Sequence, residues 1–253
     1  MKRTIVGLFF LLFSTTIFAQ NIYPNKTYLI SYWQDGVSIL KKPLHLKINE
    51  VAWSGAFVAT GAFVMKNDAN IKNWFQQHRT NGTNQSAAVF QVVGNGSFCF
   101  PAMGALYIGG LIFKQPKIQY TSLQAFKSLV IAGGITEVIK IVAERERPYQ
   151  NNNPYIFHGI DKPSTYNSFP SGHTCDAFAM ASVISSNVKN KWWNIPIYAV
   201  ATGVGLSRIN DNKHWASDVL LGAAIGYGVG KIISHSGNFP FQKAEQKSIS
   251  AKF

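Results

Sequence analysis

Residues 170–188 read PSGHTCDAFAMASVISSNV and join a helix start to an apolar helix body. Pro170 favours an extended approach to this helix, and Ser171 has the side chain of an N-cap. The unpaired backbone N–H groups of a helix start attract an anion, and Gly172 lets the backbone come close to it. His173 follows at once, in the first turn. The segment therefore predicts a helix whose beginning is suited to phosphate.

A second cluster, Lys140-x6-Arg147-Pro148, supplies two cations. It ends an apolar stretch, and Pro148 stops any helical continuation. Lys140 and Arg147 are seven positions apart, which is two helical turns. The spacing therefore predicts that both cations face one pocket from a single helix.

The third cluster, Ser207-Arg208-x5-His214-x3-Asp218, combines a cation, an imidazole and a carboxylate. His214 and Asp218 are four residues apart, so at a helix start they share a face. A carboxylate that accepts one ring N–H leaves the other ring nitrogen available and more nucleophilic. The pattern predicts a reactive imidazole beside an anion site.

The order of the predicted helices brings these clusters together. A helix over 122–143 runs toward the first cluster, and a helix over 173–188 runs away from the second. The apolar segment 195–206 returns to the third cluster, and a helix over 215–233 leaves it again. The sequence predicts an all-α fold, an antiparallel bundle of about six core helices with the active site at one end.

The three clusters match, without gap or substitution, the signatures of the type-2 phosphatidic acid phosphatase superfamily, which the chain resembles from about Ser122 to Ile233. That superfamily includes bacterial acid phosphatases, lipid phosphatases and vanadium haloperoxidases. The resemblance implies metal-free hydrolysis of phosphate esters through a phosphohistidine. It implies that His214 is the nucleophile, Asp218 its orienting partner and His173 the acid that protonates the leaving oxygen. The implied phosphate-binding residues are Lys140, Arg147, Arg208, Ser171 and Gly172.

Elementary chemistry agrees with these roles, because fixed cations stabilise the charge that phosphoryl transfer spreads over the equatorial oxygens. Each cluster alone also has an ordinary explanation. Lys140 suits a helix C-terminus, and Arg145 and Arg147, interleaved with Glu144 and Glu146, suit a solvated charged face. The function prediction therefore depends on all three clusters occurring in this order.

The predicted function is hydrolysis of phosphate monoesters or pyrophosphates, on lipid or soluble substrates. Two alternatives stay open at this point: a vanadate-dependent haloperoxidase, and a noncatalytic envelope protein with an anion pocket. No cofactor and no metal ion are expected, because the chain has no Cys/His cluster with metal-ligand spacing and no P-loop. Phosphate or vanadate is the expected occupant of the pocket.

The loop 149–169, between the first two clusters, carries aromatic and amide side chains such as Tyr155 and Phe157. Loops on rigid scaffolds often determine selectivity. The sequence predicts that this loop selects the substrate, with a passive connector as the alternative.

The beginning of the chain indicates export. Lys2 and Arg3 precede an apolar run from Ile5 to Phe18, and Ala19 offers a small residue for cleavage. This pattern predicts a secretory signal over residues 1–19 and a periplasmic or envelope location. An uncleaved anchor is the alternative.

The rest of the predicted organisation comprises a helical part with an arm over 20–121, the catalytic core over 122–233 and a disordered polar tail over 234–253. In the first part, an apolar helix is predicted over 51–65 and a separate amphipathic helix over 68–79. Cys99 and Cys175 allow either one disulfide or two buried thiols.

A formal net charge of +13 favours anionic partners, namely a phosphate-ester substrate and an anionic membrane surface. Nucleic acid is not an expected partner, because no motif for it is present, and the oligomeric state is not determined by the sequence. Most apolar runs are shorter than the roughly 20 residues that a span needs. A membrane-associated bundle is predicted, with full spanning and an active site on the outer side kept open.

Overall fold

The computed structural model describes residues 21–45, 47–161, 167–188 and 190–236. Within these ranges the chain forms eight α-helices, and the only β-type pairing is an isolated bridge between Arg145 and Phe157. The all-helical prediction is confirmed. The helices are α1 (Lys26–Lys41), α2 (Ile48–Gln77), α3 (Asn81–Val93), α4 (Gly96–Ile112), α5 (Pro116–Ala143), α6 (Gly172–Asn187), α7 (Asn194–Asn210) and α8 (Ala216–His235).

Two predicted segments lie largely outside this description. The signal segment 1–19 is not among the described residues, and of the tail 234–253 only residues 234–236 are.

The helix pair α6 and α8 packs through small residues. Gly222, Gly226 and Gly230 recur at intervals of four on α8 and approach α6 closely. A Cβ atom on Gly226 would lie 2.1 Å from the carbonyl oxygen of Cys175, and one on Gly222 would lie 2.4 Å from that of Ser171. Glycine permits this approach of the two backbones. The contact fixes the beginning of α6 against the beginning of α8.

The helix α2 is continuous where the sequence predicted two helices. It runs for 30 residues through the polar Lys66-Asn67 pair, which does not interrupt it. Asp68 is therefore fully buried in the middle of a helix, and the prediction of a separate helix that begins at this residue was wrong. Neither residue of the pair is a strong helix breaker, and a buried partner for Asp68 stabilises the continuous form.

The helix α5 ends at Ala143, as predicted, but it does not contain Arg147. Glu144 takes a left-handed conformation with φ 43°, and its N–H donates to the carbonyl oxygen of Lys140 at 2.9 Å. This left-handed residue turns the chain out of the helix. The prediction that Lys140 and Arg147 share one helix was wrong, and Arg147 reaches the site from the following loop.

The two cysteines are unpaired buried thiols in the structure. The Cys99 Sγ atom lies 3.1 Å from the carbonyl oxygen of Val93, and Cys175 accepts a hydrogen bond from the Thr136 hydroxyl at 3.2 Å. Each thiol therefore has a polar neighbour of its own.

Two described helices, α2 and α8, are long and apolar enough to cross a membrane. The pair α3 and α4, bent by 55° at the break between them, counts as a third if it is one broken span. None of the apolar window in α2 is buried inside the protein, and Trp53 and Phe63 are 76% and 68% exposed. α2 reaches this length because its two predicted segments are continuous.

Candidate active site

The structure brings the three clusters together where α5 ends and where α6 and α8 begin. The Nζ atom of Lys140 lies 3.2 Å from the position that a Cβ on Gly172 would take. The backbone N–H of Ser171 donates to the carbonyl oxygen of Asp218 at 3.0 Å. Ser171 also caps α6, since its hydroxyl oxygen accepts the N–H of Thr174 as predicted for an N-cap. The first cluster thus borders the second, which in turn borders the third.

Two arginines face this junction with their guanidinium groups held by polar neighbours. Arg147 donates from Nε and Nη2 to the Asn167 Oδ1 atom at 3.2 and 2.7 Å, and from Nη1 to the carbonyl oxygen of Lys213 at 3.3 Å. Arg208 is buried, and its Nη2 donates to Asp211 Oδ2 at 2.7 Å. Both forks are therefore oriented in advance, as bidentate phosphate binding requires.

His173 lies among the cations of all three clusters. Burial lowers its pKa to about 4, and the charges of Arg208, His214, Lys140 and Arg147 contribute in that order to the same lowering. All four side chains therefore lie within electrostatic reach of this imidazole. A bound anion would offset their charge and raise the pKa of His173.

His214 is buried, and a backbone carbonyl determines which of its nitrogens carries hydrogen. Its Nδ1 lies 2.7 Å from the carbonyl oxygen of Ser168 and 3.6 Å from Oδ2 of Asp218. A carbonyl oxygen can only accept, so Nδ1 donates, and Nε2 carries the lone pair in the neutral ring. Burial lowers the pKa of His214, while the Asp218 carboxylate acts in the opposite direction.

Ser168 is a functional neighbour that the sequence analysis missed. The predicted hydrogen-bond partner of His214 was Asp218, yet the close contact is to the Ser168 backbone. A hydrogen bond to a backbone carbonyl cannot be predicted from the pattern of side chains in the sequence. Asp218 instead accepts the N–H of Trp215 at 2.8 Å and the Ser168 hydroxyl, which places it in the first turn of α8.

Arg145 contradicts the interpretation of residues 144–147 as a solvated charged face. Its side chain is fully buried and donates to Asp68, Asp218 and Ser217. Its guanidinium carbon lies within 5.2 to 5.8 Å of three ring centres, those of Phe157, Trp215 and Phe169. Asp68, an acidic residue close to the apolar segment 51–65, was the sequence signal that could have indicated this cluster.

These features define an all-helical protein in which two histidines and three cations lie together at a candidate anion site. Within the described residues, no group of three or more His, Cys, Asp or Glu side chains is arranged to hold a metal ion. Residues 121–240, just under half of the chain, match the family model of the PAP2 superfamily.

Several known proteins are similar to this chain. A lipid A 1-phosphatase of Porphyromonas gingivalis is 44% identical over 85 residues, which are 32% of this chain and 19% of that protein. An undecaprenyl-diphosphatase of Sulfolobus acidocaldarius is 32% identical over 139 residues, which are 54% of this chain and 64% of that protein. The chain thus spans less than two thirds of the length of either relative.

Among solved structures, the crystal structure of Aquifex aeolicus LpxE matches with a TM-score of 0.49 and 25% sequence identity. The match covers 66% of this chain and 93% of that chain.

Proposed function

We propose that this protein hydrolyses phosphate monoesters or diphosphates of membrane lipids through a phosphohistidine on His214, without a metal ion. The observation that carries the proposal is the pairing of two imidazoles inside one ring of cations. One imidazole, His214, has its Nδ1–H held by a carbonyl and so presents Nε2. The other, His173, lies within electrostatic reach of Lys140, Arg147 and Arg208.

In the first proposed step, Nε2 of His214 attacks the phosphorus atom, and the bond from phosphorus to the leaving oxygen breaks. His173 gives its proton to that oxygen, which departs as an alcohol or as a lipid phosphate. The phosphorylated ring keeps its Nδ1–H and becomes cationic, so the carboxylate of Asp218, 3.6 Å from Nδ1, stabilises it. Lys140, Arg147 and Arg208 stabilise the charge on the equatorial oxygens.

In the second step, neutral His173 takes a proton from water as the water oxygen attacks phosphorus. The bond between phosphorus and Nε2 breaks, and inorganic phosphate leaves. His214 returns to its neutral form with hydrogen on Nδ1, and His173 is protonated again.

The protonation of His173 is linked to phosphate binding. When no anion offsets the charge of the pocket's cations, the pKa of His173 is about 4, so the ring is mostly neutral near pH 7. A dianionic phosphate neutralises part of the surrounding charge and raises this pKa. The substrate therefore favours the protonated acid that its own cleavage requires.

A lipid substrate is supported by the relatives and by the apolar helices. Two of the relatives, the lipid A 1-phosphatase and the undecaprenyl-diphosphatase, are named as phosphatases of lipid substrates. In this chain, none of the apolar window of α2 is buried inside the protein, which fits association with a membrane. Extraction of the membrane fraction with carbonate and then with detergent tests this association. Release by carbonate alone would exclude an integral protein.

The direct test is phosphate release by the full-length protein in detergent. The substrates are p-nitrophenyl phosphate, a lipid phosphate monoester and a lipid diphosphate, each with and without EDTA. We expect turnover that survives EDTA and is higher on the lipid substrates. Loss of turnover in EDTA with rescue only by a divalent ion would overturn the metal-free proposal. Halide oxidation with vanadate and peroxide, in the absence of phosphate release, would favour the haloperoxidase.

A further inference from the structure

A buried cluster of charged side chains connects α2, which precedes the matched family region, to the start of α8. Asp68 on α2 is fully buried. Its Oδ1 accepts the backbone N–H of Ser217 at 2.9 Å, and its Oδ2 accepts the Ser217 hydroxyl. Ser217 immediately precedes Asp218, whose carboxylate faces His214. Asp68 therefore holds the turn of α8 that presents this carboxylate.

The guanidinium of Arg145 joins the two carboxylates. Nη2 donates to Asp68 Oδ2 at 2.8 Å, and Nη1 donates to Asp218 Oδ1 and to Ser217 Oγ, the latter at 2.7 Å. Nε and Nη2 also donate to the carbonyl oxygen of Pro154 at 2.9 and 2.6 Å. All three nitrogen atoms thus have acceptors, and the planar fork has one orientation.

We infer that Asp68 and Arg145 are positioning residues. Together they hold the carboxylate of Asp218 in position beside His214 and set the net charge on that side of the ring. The inference rests on the proposed function in taking His214 as the reacting group. Asp68 lies 72 positions before Lys140, the first residue of the three signatures, so the site depends on a part of the chain that those signatures do not include.

Charge balance explains why a second carboxylate is present. One guanidinium between two carboxylates leaves a net charge of −1 at the side of His214 that faces α8. The groups that act on His214 from the other elements are Lys140, Arg147 and His173. Without Asp68, the charge of Arg145 would cancel that of Asp218, and no net negative charge would remain to offset these cations. His214 would then bind a proton less readily, and its cationic phosphorylated form would be less stable.

The test compares two buried aspartates, each of which forms a buried ion pair with a basic side chain. Asp68→Asn removes the charge and keeps the shape. Asp35→Asn is the matched control, because Asp35 pairs with Lys127 and both side chains are fully buried, as in the Asp68–Arg145 pair. Lys127 lies thirteen residues before Lys140 on α5, about 20 Å along the helix axis. Ser217→Ala is a milder second variant, which keeps all three charges.

Three quantities are measured on each full-length variant in detergent: the melting temperature, kcat and KM on p-nitrophenyl phosphate, and the titration of His214 by NMR of labelled histidine. For Asp68→Asn we expect kcat to fall about ten- to a hundredfold with KM within about twofold. We also expect the His214 titration, and the acidic limb of the rate profile, to move to lower pH. Ser217→Ala should lower kcat less.

For Asp35→Asn we expect a comparable loss of melting temperature, with kcat per folded molecule and the His214 titration unchanged. Equal effects of the two aspartate variants on kcat, with an unshifted His214, would overturn the inference. If the wild type cleaves no phosphate ester, the proposed function fails. The NMR comparison then still decides whether Asp68 acts on His214. If Asp68→Asn does not fold, kcat of Ser217→Ala against that of Asp35→Asn tests the positioning contact between Asp68 and Ser217, and an unchanged kcat in Ser217→Ala would overturn it.

Discussion

The carbonyl oxygen of Ser168 lies 2.7 Å from Nδ1 of His214 and leaves the lone pair of the neutral ring on Nε2, the atom that attacks phosphorus in the proposed mechanism. In many catalytic histidines a carboxylate has this role. Here the nearest carboxylate oxygen, on Asp218, is 3.6 Å away and contributes chiefly through its charge. The orientation of the ring and its electrostatic support are therefore supplied by two different groups.

This separation predicts a partial effect for Asp218→Asn. The Ser168 carbonyl still holds the Nδ1–H, so a phosphoenzyme should still form, while kcat falls about ten- to a hundredfold. The measurement is single-turnover kinetics beside His214→Ala, which should form none. If Asp218→Asn and His214→Ala are equally inactive at equal folded fraction, then Asp218 itself fixes the orientation of the ring.

The pKa of His173 predicts an unusual dependence on pH. The acid must be protonated, and its pKa in the uncomplexed protein is about 4. The protonated fraction therefore falls as pH rises above 4, and kcat/KM for an alkyl phosphate should fall with it. A nitrophenolate departs without a proton, so the decline on p-nitrophenyl phosphate should be weaker.

His173→Ala should accordingly lose on the order of a hundredfold or more on the alkyl ester and much less on p-nitrophenyl phosphate. Equal losses on both esters, with parallel pH profiles, would exclude His173 as the acid.

The close contact of α6 and α8 predicts a difference between two neighbouring glycines. A methyl group on Gly226 would meet the carbonyl oxygen of Cys175 at 2.1 Å, whereas one on Gly228 meets nothing within 4 Å. Gly226→Ala should destabilise the protein by about 1–3 kcal/mol or more through overpacking. Gly228→Ala should be neutral or stabilising by about 0.5 kcal/mol, because alanine restricts the unfolded chain. Thermal unfolding in detergent measures both, and equal melting temperatures would contradict the packing described.

Two aromatic residues of the loop between the first two clusters, Tyr155 and Phe157, are expected to have different roles. Both side chains are exposed, Tyr155 at 55% and Phe157 at 41%, but Phe157 lies 5.2 Å from the guanidinium carbon of Arg145 and belongs to the support of the site. Tyr155→Ala should change the ranking of lipid against soluble substrates, measured as the ratio of their kcat/KM values. Phe157→Ala should lower both alike. An unchanged ratio for Tyr155→Ala would leave the loop a passive connector.

Local signals in the sequence predicted much of this site. The start of α6 follows from Pro170, Ser171 and Gly172, because capping and backbone preferences act within a few residues. The positions of His173 and His214 follow from similarly short spacings. The end of α5 was also predicted, but the left-handed Glu144 that redirects the chain was not, since no glycine marks it.

The parts that the sequence did not predict depend on distant contacts. The stretch around Arg145 alternates glutamate and arginine and has the pattern of a solvated surface. Its burial results from Asp68, which is 77 residues away along the chain. The same contact stabilises α2 as one helix across its polar pair. Such partners become visible only when the helices are packed together.

Trapping of the covalent intermediate tests the proposed mechanism most directly. The wild-type protein is mixed with p-nitrophenyl phosphate, quenched in base within one turnover and digested for mass spectrometry. The mechanism predicts one phosphoryl group on His214, stable in base and lost in acid, present in His173→Ala and absent in His214→Ala. Phosphate on His173, or turnover by the wild type and by His214→Ala without any phosphohistidine, would contradict it.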